Sequence, residues 1–415
     1  MSTIHKWTVF EKLLFKFTFV WITLFIFSFS FPHQFIPDIG KYTSPFFEQP
    51  VKWFAENILR LKKPYINQLI SDSAGLYIHA LLLVIYATII SFIWTLVDRN
   101  KKSYNFFLYI FFVFIRYYLA LQLMVYGFNK LFKVQFYLPE PNTLFTTVGN
   151  TYKDLLYWTM MGSSRGYTIF LGAIEIIAAL LLFFRKTYII GAILAIGTFI
   201  NIAAVNLAFD ISVKLYSLFL LLLSCVLIIP AAKKLFQFFI LQQKTQLLIP
   251  KIQCSNSKER WGYRFIKYIL IVVVIFDPLS EYIQSNNLND DAMQRPFLHG
   301  AYTVDSLEIN NSKNISINNN QRWKRAFVHR QGYFIIQYLN DSMQDYQLQY
   351  DTINKYLVLI NYESADTSYM QYQLLNSNTL LLNGNWQKDS LRVRLKKINL
   401  DKLPLLQKEF NWTVE

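Results

Sequence analysis

Two charged residues lie inside long apolar segments, where ionised side chains are rare. Arg116 falls within the apolar segment that begins at residue 105, and Glu175 falls within the segment 167–184. Charges at membrane depth are costly and usually form a pair or serve a function. At about 1.5 Å per residue both lie roughly 13–18 Å below the outer ends of their helices, so we predict that they face each other. The pair would either relay protons, as a catalytic site, or pin two helices together.

A second group of polar residues gathers toward the outer ends of the predicted helices. Tyr126 and Lys130 are one helical turn apart, as are Asp210 and Lys214, so each pair shares a helix face. The pattern predicts a ligand-binding vestibule that opens outward above the intramembrane pair. Its predicted members are Tyr126, Lys130, Gln135, Trp158, Asn206, Asp210 and Lys214. Taken singly, Asp210 and Lys214 would form a solvated ion pair, and Trp158 would anchor the chain at the membrane interface.

Several familiar catalytic motifs are absent from the sequence, which has no GxGxxG, Walker or HExxH motif. The cysteines, Cys225 and Cys254, form neither a CxxC pair nor a zinc site, so no metal is expected. His33 and His79 both fall near the predicted outer boundary. Two interfacial imidazoles fit that position better than a pair of haem ligands, so haem is not expected.

Composition indicates that these residues belong to a membrane protein. The chain has 415 residues, of which 53% are hydrophobic and 16% charged, whereas an ordinary soluble domain carries about 25% charged residues. The net charge of +15 could suggest a nucleic-acid partner, but the basic residues mostly flank apolar runs, as membrane topology requires. No nucleic acid is therefore expected. Seven segments are predicted to span the membrane: 13–31, 75–97, 105–123 continuing to 132, 167–184, 189–207, 213–229 and 265–278.

The distribution of Lys and Arg predicts the orientation of these spans. With the N-terminus inside, the inner connections hold Arg99, Arg185 and a basic cluster between residues 233 and 264. Seven spans then place the C-terminus outside. The first span has no small-residue cleavage site after it, so we predict a retained anchor.

From residue 296 the hydrophobic period changes to two. The stretch 390–396 alternates strictly, with Leu391, Val393 and Leu395 on one face, as in a half-buried antiparallel strand. About eight such segments separated by turn signals predict a small all-β domain, either an up-and-down barrel or a sandwich, and we favour a lipocalin-like barrel. This domain would either bind a ligand or serve as a structural cap. The predicted divisions are 1–104 with two membrane helices and an outer loop, 105–235 as a four-helix membrane bundle, 236–295 with an inner amphipathic segment, the last helix and a linker, and 296–415 as the β-rich domain.

Several motifs together resemble the DoxX family. They are Arg116-Tyr117, Tyr126-Gly-Phe-Asn-Lys130, Trp158-Thr-Met-Met-Gly162, Gly172-Ala-Ile-Glu175 and Asn206-Leu-Ala-Phe-Asp210 through Lys214. The resemblance covers about residues 105–235 and is greatest to the longer DoxX-like proteins of Bacteroidetes. It implies a four-helix bundle in which Arg116, Tyr126, Lys130, Glu175, Asn206, Asp210 and Lys214 form a polar pocket. Some DoxX-type proteins are membrane subunits of thiosulfate:quinone oxidoreductase, which implies quinone as the candidate cofactor.

Three functions remain open at this point, and so does the question of whether the protein is an enzyme. The first is a quinone-linked redox membrane subunit that uses the outward-facing pocket. The second is a binding or transport module for a lipid or small amphiphile, and the third is an envelope assembly or anchor protein with a protein partner. The Phe, Tyr, Ile, Asn and Lys usage fits an AT-rich bacterial genome, and predicts a multi-pass inner-membrane protein with a periplasmic β-domain.

Overall fold

The computed structural model describes residues 7–31, 33–61, 69, 71–246, 256–310, 322–362, 364, 366–386, 389–407 and 412–413. Cys254 lies outside these residues. The helices are α1 Val9–Phe27, α2 Gly40–Asn57, α3 Ala74–Val97, α4 Asn105–Leu131, α5 Pro141–Leu144, α6 Lys153–Ser163, α7 Arg165–Leu182, α8 Tyr188–Ala208, α9 Lys214–Phe239 and α10 Ser257–Gln284. The strands are β1 Gly300–Ile309, β2 Trp323–His329, β3 Tyr333–Tyr338, β4 Met343–Asp351, β5 Tyr356–Asn361, β6 Thr367–Asn376, β7 Thr379–Trp386 and β8 Asp389–Lys397.

Five helices among the described residues, α3, α4, α7, α8 and α9, are long and apolar enough to cross a membrane. They coincide with five of the seven predicted spans. Many of their apolar side chains face outward, including Ile89 and Phe92 of α3, which are 51% and 62% exposed. A water-soluble protein rarely leaves so much contiguous apolar surface uncovered, so this surface suits lipid.

The other two predicted spans lie largely within helices α1 and α10, which contain three and seven charged residues respectively. In α1, the side chain of Lys16 donates a hydrogen bond to Thr95 of α3 at 3.4 Å. Beyond the other end of α1, the ring of Phe29 stacks on that of His79 at 4.5 Å, so α1 and α3 are antiparallel neighbours. Helix α10 packs against α4, and Tyr282 near its end meets Phe132 just after α4, with ring centroids 4.8 Å apart.

Contacts divide the chain into two compact units. The first comprises residues 1–135 and 166–289, and the second comprises residues 136–165 and 290–415. The segment 136–165, predicted within the bundle, therefore groups with the β-rich region. Within this unit the ring of Phe145 stacks on Phe327 of β2 at 5.8 Å, and its carbonyl oxygen accepts a hydrogen bond from Gln337 of β3 at 3.2 Å.

The eight strands form a closed antiparallel barrel in which each strand pairs with the next and β8 returns to β1. This confirms the predicted eight-stranded barrel. In β8, Leu391, Val393 and Leu395 are buried while the basic residues between them are exposed. The interior holds large side chains in mutual contact: Trp386 lies 5.1 Å from Trp323 and 4.8 Å from Tyr346, measured between ring centroids. An eight-stranded barrel of this kind can be filled by its own side chains.

Candidate functional site

Helices α4 and α7 approach each other closely at two glycines. A Cβ on Gly172 would lie 2.7 Å from the carbonyl oxygen of Gly127 and 3.0 Å from the Cβ of Lys130, so only glycine fits there. Small residues are what allow membrane helices to approach to this distance. Phe183, just after α7, meets Arg116 on the earlier part of α4, so the two helices run antiparallel. Lys130 and Glu175 each lie three residues after their glycine, on opposite sides of this contact, and the long side chain of Lys130 reaches the Glu175 carboxylate.

Lys130 and Glu175 form a buried ion pair inside the helical unit. The Nζ atom of Lys130 lies 2.9 Å from Oε1 and 3.0 Å from Oε2 of Glu175, so it donates to both carboxylate oxygens. Their side chains are only 6% and 2% exposed. Glu175 is ten residues from the start of α7 and seven from its end, so about 10 Å or more of helix separates it from either end. Lys130 lies in the last turn of α4, so the pair joins the end of α4 to the middle of α7.

The predicted pairing of Arg116 with Glu175 is wrong. Arg116 and Lys130 are 14 residues apart on α4, which corresponds to about 21 Å along the helix. A side chain near Lys130 cannot also reach Arg116. The Nη2 atom of Arg116 instead approaches the carbonyl oxygen of Phe183 at 3.5 Å, and its guanidinium lies 5.5 Å from the ring centroid of Tyr188. Arg116 thus lies at the level of the turn between α7 and α8.

A ladder of polar side chains extends from the ion pair along α4. Its members, each four residues from the next, are Tyr118, Gln122, Tyr126 and Lys130. The ring of Tyr126 lies 5.5 Å from Nζ of Lys130, and the hydroxyl of Tyr118 is 3.0 Å from that of Tyr216 on α9. Gln122 is 1% exposed, and its Oε1 atom accepts no hydrogen bond from the described residues. A buried acceptor left unsatisfied costs about 1–3 kcal/mol, so it marks a place where a donor would bind favourably.

Three other predicted vestibule residues form a separate contact group. Lys214 Nζ lies 2.8 Å from Asp210 and 3.7 Å from Asp72, a residue just before α3. Asp72 also accepts hydrogen bonds from the backbone N–H groups of Lys214 and Leu215 and so caps α9. Asn206 donates to the carbonyl oxygen of Val213 at 3.3 Å. This group is explained by closing the turn between α8 and α9.

The remaining two predicted ligand-binding residues, Gln135 and Trp158, lie in different units. Gln135 belongs to the helical unit, and its Oε1 atom is buried with no hydrogen bond from the described residues. Trp158 belongs to the barrel unit, where its ring lies 4.5 Å from that of Phe136. Within the helical unit, the part of the predicted vestibule that remains a candidate binding site is therefore the region around the Lys130–Glu175 pair.

The two outer histidines have separate environments. His33 Nδ1 lies 2.6 Å from the carboxylate of Asp277 on α10. The same carboxylate accepts hydrogen bonds from the backbone N–H groups of Phe35 and Ile36. His79 lies between the rings of Phe29 and Phe47. Within the described part of the chain, no three His, Cys, Asp or Glu side chains are grouped so that they could hold a metal ion.

The barrel unit contains a charged cluster around Glu140, which follows α4 in the chain. The carboxylate accepts hydrogen bonds from Nε of Arg330 at 2.5 Å and from His299 Nε2 at 3.1 Å. Burial alone would raise the pKa of Glu140, but the hydrogen bond from His299 and the charges of His329 and Arg330 lower it to about 2. Arg330 also donates to Asp290 at 2.8 Å. The cluster fastens the segment 136–165 to the barrel.

Together these features define a helical membrane-type bundle with a buried ion pair, joined to a closed antiparallel barrel. No protein-family model matches the sequence, and no solved structure matches the chain. A stretch of 113 residues, 27% of this chain, is 33% identical to an uncharacterized protein, YwoB, from Bacillus subtilis (strain 168), and covers 71% of it. The chain therefore belongs to the same family as YwoB.

Sequence reasoning found Lys130, Glu175 and Tyr126 but not their arrangement. The signal that could have indicated their arrangement is a glycine three residues before each charge. This pattern occurs on both helices, as Gly127-x-x-Lys130 and as Gly172-x-x-Glu175. Gln122 was also missed. Its spacing of four residues from both Tyr118 and Tyr126 would have placed it on the same face of α4.

Proposed function

We propose that the helical unit binds the head group of a membrane quinone at the Lys130–Glu175 pair and serves as a quinone-linked redox subunit. The observation that carries this proposal is a buried ion pair within an apolar bundle, with an unsatisfied acceptor, Gln122 Oε1, about two turns away on the same face of α4. Charges inside a membrane are costly enough that function is the default explanation for them. The resemblance to the DoxX family supports the same assignment.

The types of polar group fit both oxidation states of a quinone. A quinone has two carbonyl oxygens, which accept hydrogen bonds, and Lys130 and Tyr126 are donors. A quinol has two hydroxyl groups, which donate, and Gln122 Oε1 is an acceptor without a donor among the described residues. An apolar bundle lined by a few convergent polar groups is typical of a site for a small amphiphilic ligand.

The ion pair would hold the protons of the reaction. Reduction of a quinone to a quinol takes up two electrons and two protons, and the electrons would come from a redox partner protein. Lys130 would donate a proton to a carbonyl oxygen, and Glu175 would compensate the positive charge before the transfer. The hydroxyl groups of Tyr126, Tyr118 and Tyr216 would then supply a route by which Lys130 regains a proton, and Lys130 would pass on this second proton to complete the quinol.

The proposed compartment is the bacterial inner membrane, with seven spans and the barrel in the periplasm. Residues 136–165 and 290–415 fold as one unit, which supports placing both on the same side of the membrane. The chain between them must then cross the membrane an even number of times. Helices α7, α8 and α9 supply three crossings, and α10, which packs against α4, would supply the fourth. Helix α1, antiparallel to α3, would cross beside it.

The test is binding of decylubiquinone and of its reduced quinol to the purified full-length protein in mild detergent. Lys130→Met should weaken quinone binding about 10-fold or more, because a hydrogen bond from a charged donor is worth about 1.5–3 kcal/mol. Lys214→Met is the matched control. Lys214 pairs with the exposed Asp210, so this variant should bind quinone as tightly as the wild type.

A second variant separates quinol from quinone recognition. Gln122→Leu should lower the affinity for the quinol and leave that for the quinone unchanged, because only the quinol can donate to its Oε1 atom. Glu175→Gln should keep the fold and lose electron transfer to the quinone. Absence of binding to wild-type protein, or full binding by Lys130→Met, would overturn the proposal.

A second candidate, an envelope assembly protein, rests on the barrel. Its interior is occupied by its own side chains, among them Trp323, Tyr346 and Trp386. This favours a barrel that docks a protein partner over one that carries a lipid or amphiphile. It predicts that substitutions at Lys130 and Glu175 change stability alone.

A further inference from the structure

A group of cationic side chains converges at the end of the bundle where α7 and α8 are joined. Its members are Arg116 of α4, Arg185 of the α7–α8 turn and Lys267 of α10. The ammonium of Lys267 lies close enough to both arginines to be repelled by each. Among the described residues, the groups whose charges act on Arg116 and Lys267 include no carboxylate.

Among the described residues, no carboxylate neutralises the charge of Arg116. Its Nε atom is buried and donates no hydrogen bond to the described residues, Nη2 approaches the carbonyl oxygen of Phe183 at 3.5 Å, and the guanidinium also interacts with the hydroxyl group of Tyr117. The rings of Tyr117 and Tyr188 flank the guanidinium at 5.9 and 5.5 Å. Contacts between cations and aromatic rings stabilise a positive charge without neutralising it. A compact anion would satisfy all three cations at once.

The general tendency of membrane proteins to carry positive charge on the inner side explains only part of this group. It accounts for Arg185, an exposed residue in a short loop. It does not account for Arg116, which is eleven residues into α4, or for Lys267, which is ten residues into α10 and lies against the ring of Phe184 at 4.6 Å. Both side chains are directed from their own helices toward the same turn.

We propose that Arg116, Arg185 and Lys267 bind a phosphate group at the inner end of the bundle. Guanidinium groups match phosphate oxygens in a bidentate geometry, and phosphate carries enough charge to offset several cations. The phosphate would come either from the head group of an anionic phospholipid or from free inorganic phosphate. Basic pockets between membrane helices on the cytoplasmic side are known sites for anionic head groups. Phe184 and Ile266, which are exposed beside the cations, would contact the acyl chains.

The test uses full-length protein, delipidated in mild detergent, to which phosphatidylglycerol, phosphatidylcholine or inorganic phosphate is added. Native mass spectrometry counts bound lipids, and the thermal midpoint reports protection. We expect one phosphatidylglycerol to bind in preference to phosphatidylcholine and to raise the midpoint. Equal protection by inorganic phosphate at low concentration would support the site and identify its ligand as free phosphate.

Variants assign the binding to these side chains. Arg116→Gln and Lys267→Gln should each weaken binding about 10- to 100-fold, because each removes charge-assisted hydrogen bonds. Arg264→Gln is the matched control, since this arginine is on the same helix and lies against the ring of Trp261. If Arg116→Gln does not fold, Arg185→Gln at the exposed rim replaces it. Equal binding of the two lipids by wild type, or unchanged binding by the Arg185 and Lys267 variants, would overturn the proposal.

Discussion

Replacing each member of the Lys130–Glu175 pair by methionine tests whether the two side chains stabilise the bundle as a unit. Methionine is close in volume to both residues, so it removes the charge with little change in packing. Each single variant leaves the other charge buried, with side-chain exposures of 2% for Glu175 and 6% for Lys130. Breaking a buried ion pair by removing one partner costs about 3–5 kcal/mol.

The double variant should recover most of this loss. It buries no charge, and replacement of a buried pair by apolar side chains is often neutral in soluble proteins. We therefore expect single losses of about 3 kcal/mol each and a double variant within about 1–2 kcal/mol of wild type. The implied coupling of about 4–5 kcal/mol exceeds that of neutral hydrogen bonds in membrane proteins, which average about 0.6 kcal/mol.

The assay is reversible unfolding of the full-length protein in mixed micelles by increasing amounts of SDS, followed by circular dichroism. Asp210→Asn and Lys214→Met provide the control cycle, because Asp210 is 82% exposed and an exposed pair couples by less than about 1 kcal/mol. Additive losses at Lys130 and Glu175, within about 0.5 kcal/mol, would refute the reasoning that the two side chains form one buried pair. Loss of quinone binding by the stable double variant would separate the functional role of the pair from its structural role.

Two further predictions concern other parts of the chain. Gly172→Ala should destabilise the bundle and weaken quinone binding, because the new Cβ would lie 2.7 Å from a carbonyl oxygen of α4. Gly197→Ala is the control and should be tolerated, since a Cβ there would have no atom within 4 Å. The two variants are compared by SDS unfolding and by decylubiquinone binding. In the barrel unit, the pKa of Glu140 is lowered from 4.5 to about 2. A lowered pKa contributes stability that is present above about pH 4.5 and is lost as the pH falls toward 2, up to about 3 kcal/mol in total. Hydrogen exchange in β2 should show this loss between pH 5 and pH 3 in wild type, and Glu140→Gln should largely remove it; a pH profile unchanged by the substitution would contradict the assignment.

The helices and strands could be predicted in some detail because their signals are local. An apolar run of about 20 residues is long enough to be a membrane helix wherever it falls in the chain. In the same way, the alternation of Leu391, Val393 and Leu395 with basic residues fixes which side of β8 is buried. Each of these properties depends on residues a few positions apart, so no knowledge of the tertiary structure is needed.

The candidate site could be predicted only in its parts. Counting residues from helix ends gave Arg116 and Glu175 similar depths, but it assumed that α4 and α7 begin and end at the same level. The structure pairs Phe183, at the end of α7, with Arg116, and so leaves Glu175 beside Lys130. Which charges meet depends on the axial offset of the two helices, because Arg116 and Lys130 lie about four turns apart on α4.

The sequence by itself determined that this protein has apolar helices of membrane-spanning length, about eight short strands and a few charges that an apolar bundle must accommodate. Only the structure shows that the strands close into a barrel. Only the tertiary structure decided how those charges are compensated. The contact between Gly127 and Gly172 sets the offset of α4 and α7 and thereby joins Lys130 to Glu175. It also leaves Arg116 with cations and aromatic rings as neighbours. The physical reason is that burial and periodicity are properties of one segment, whereas an ion pair is a property of how two segments pack.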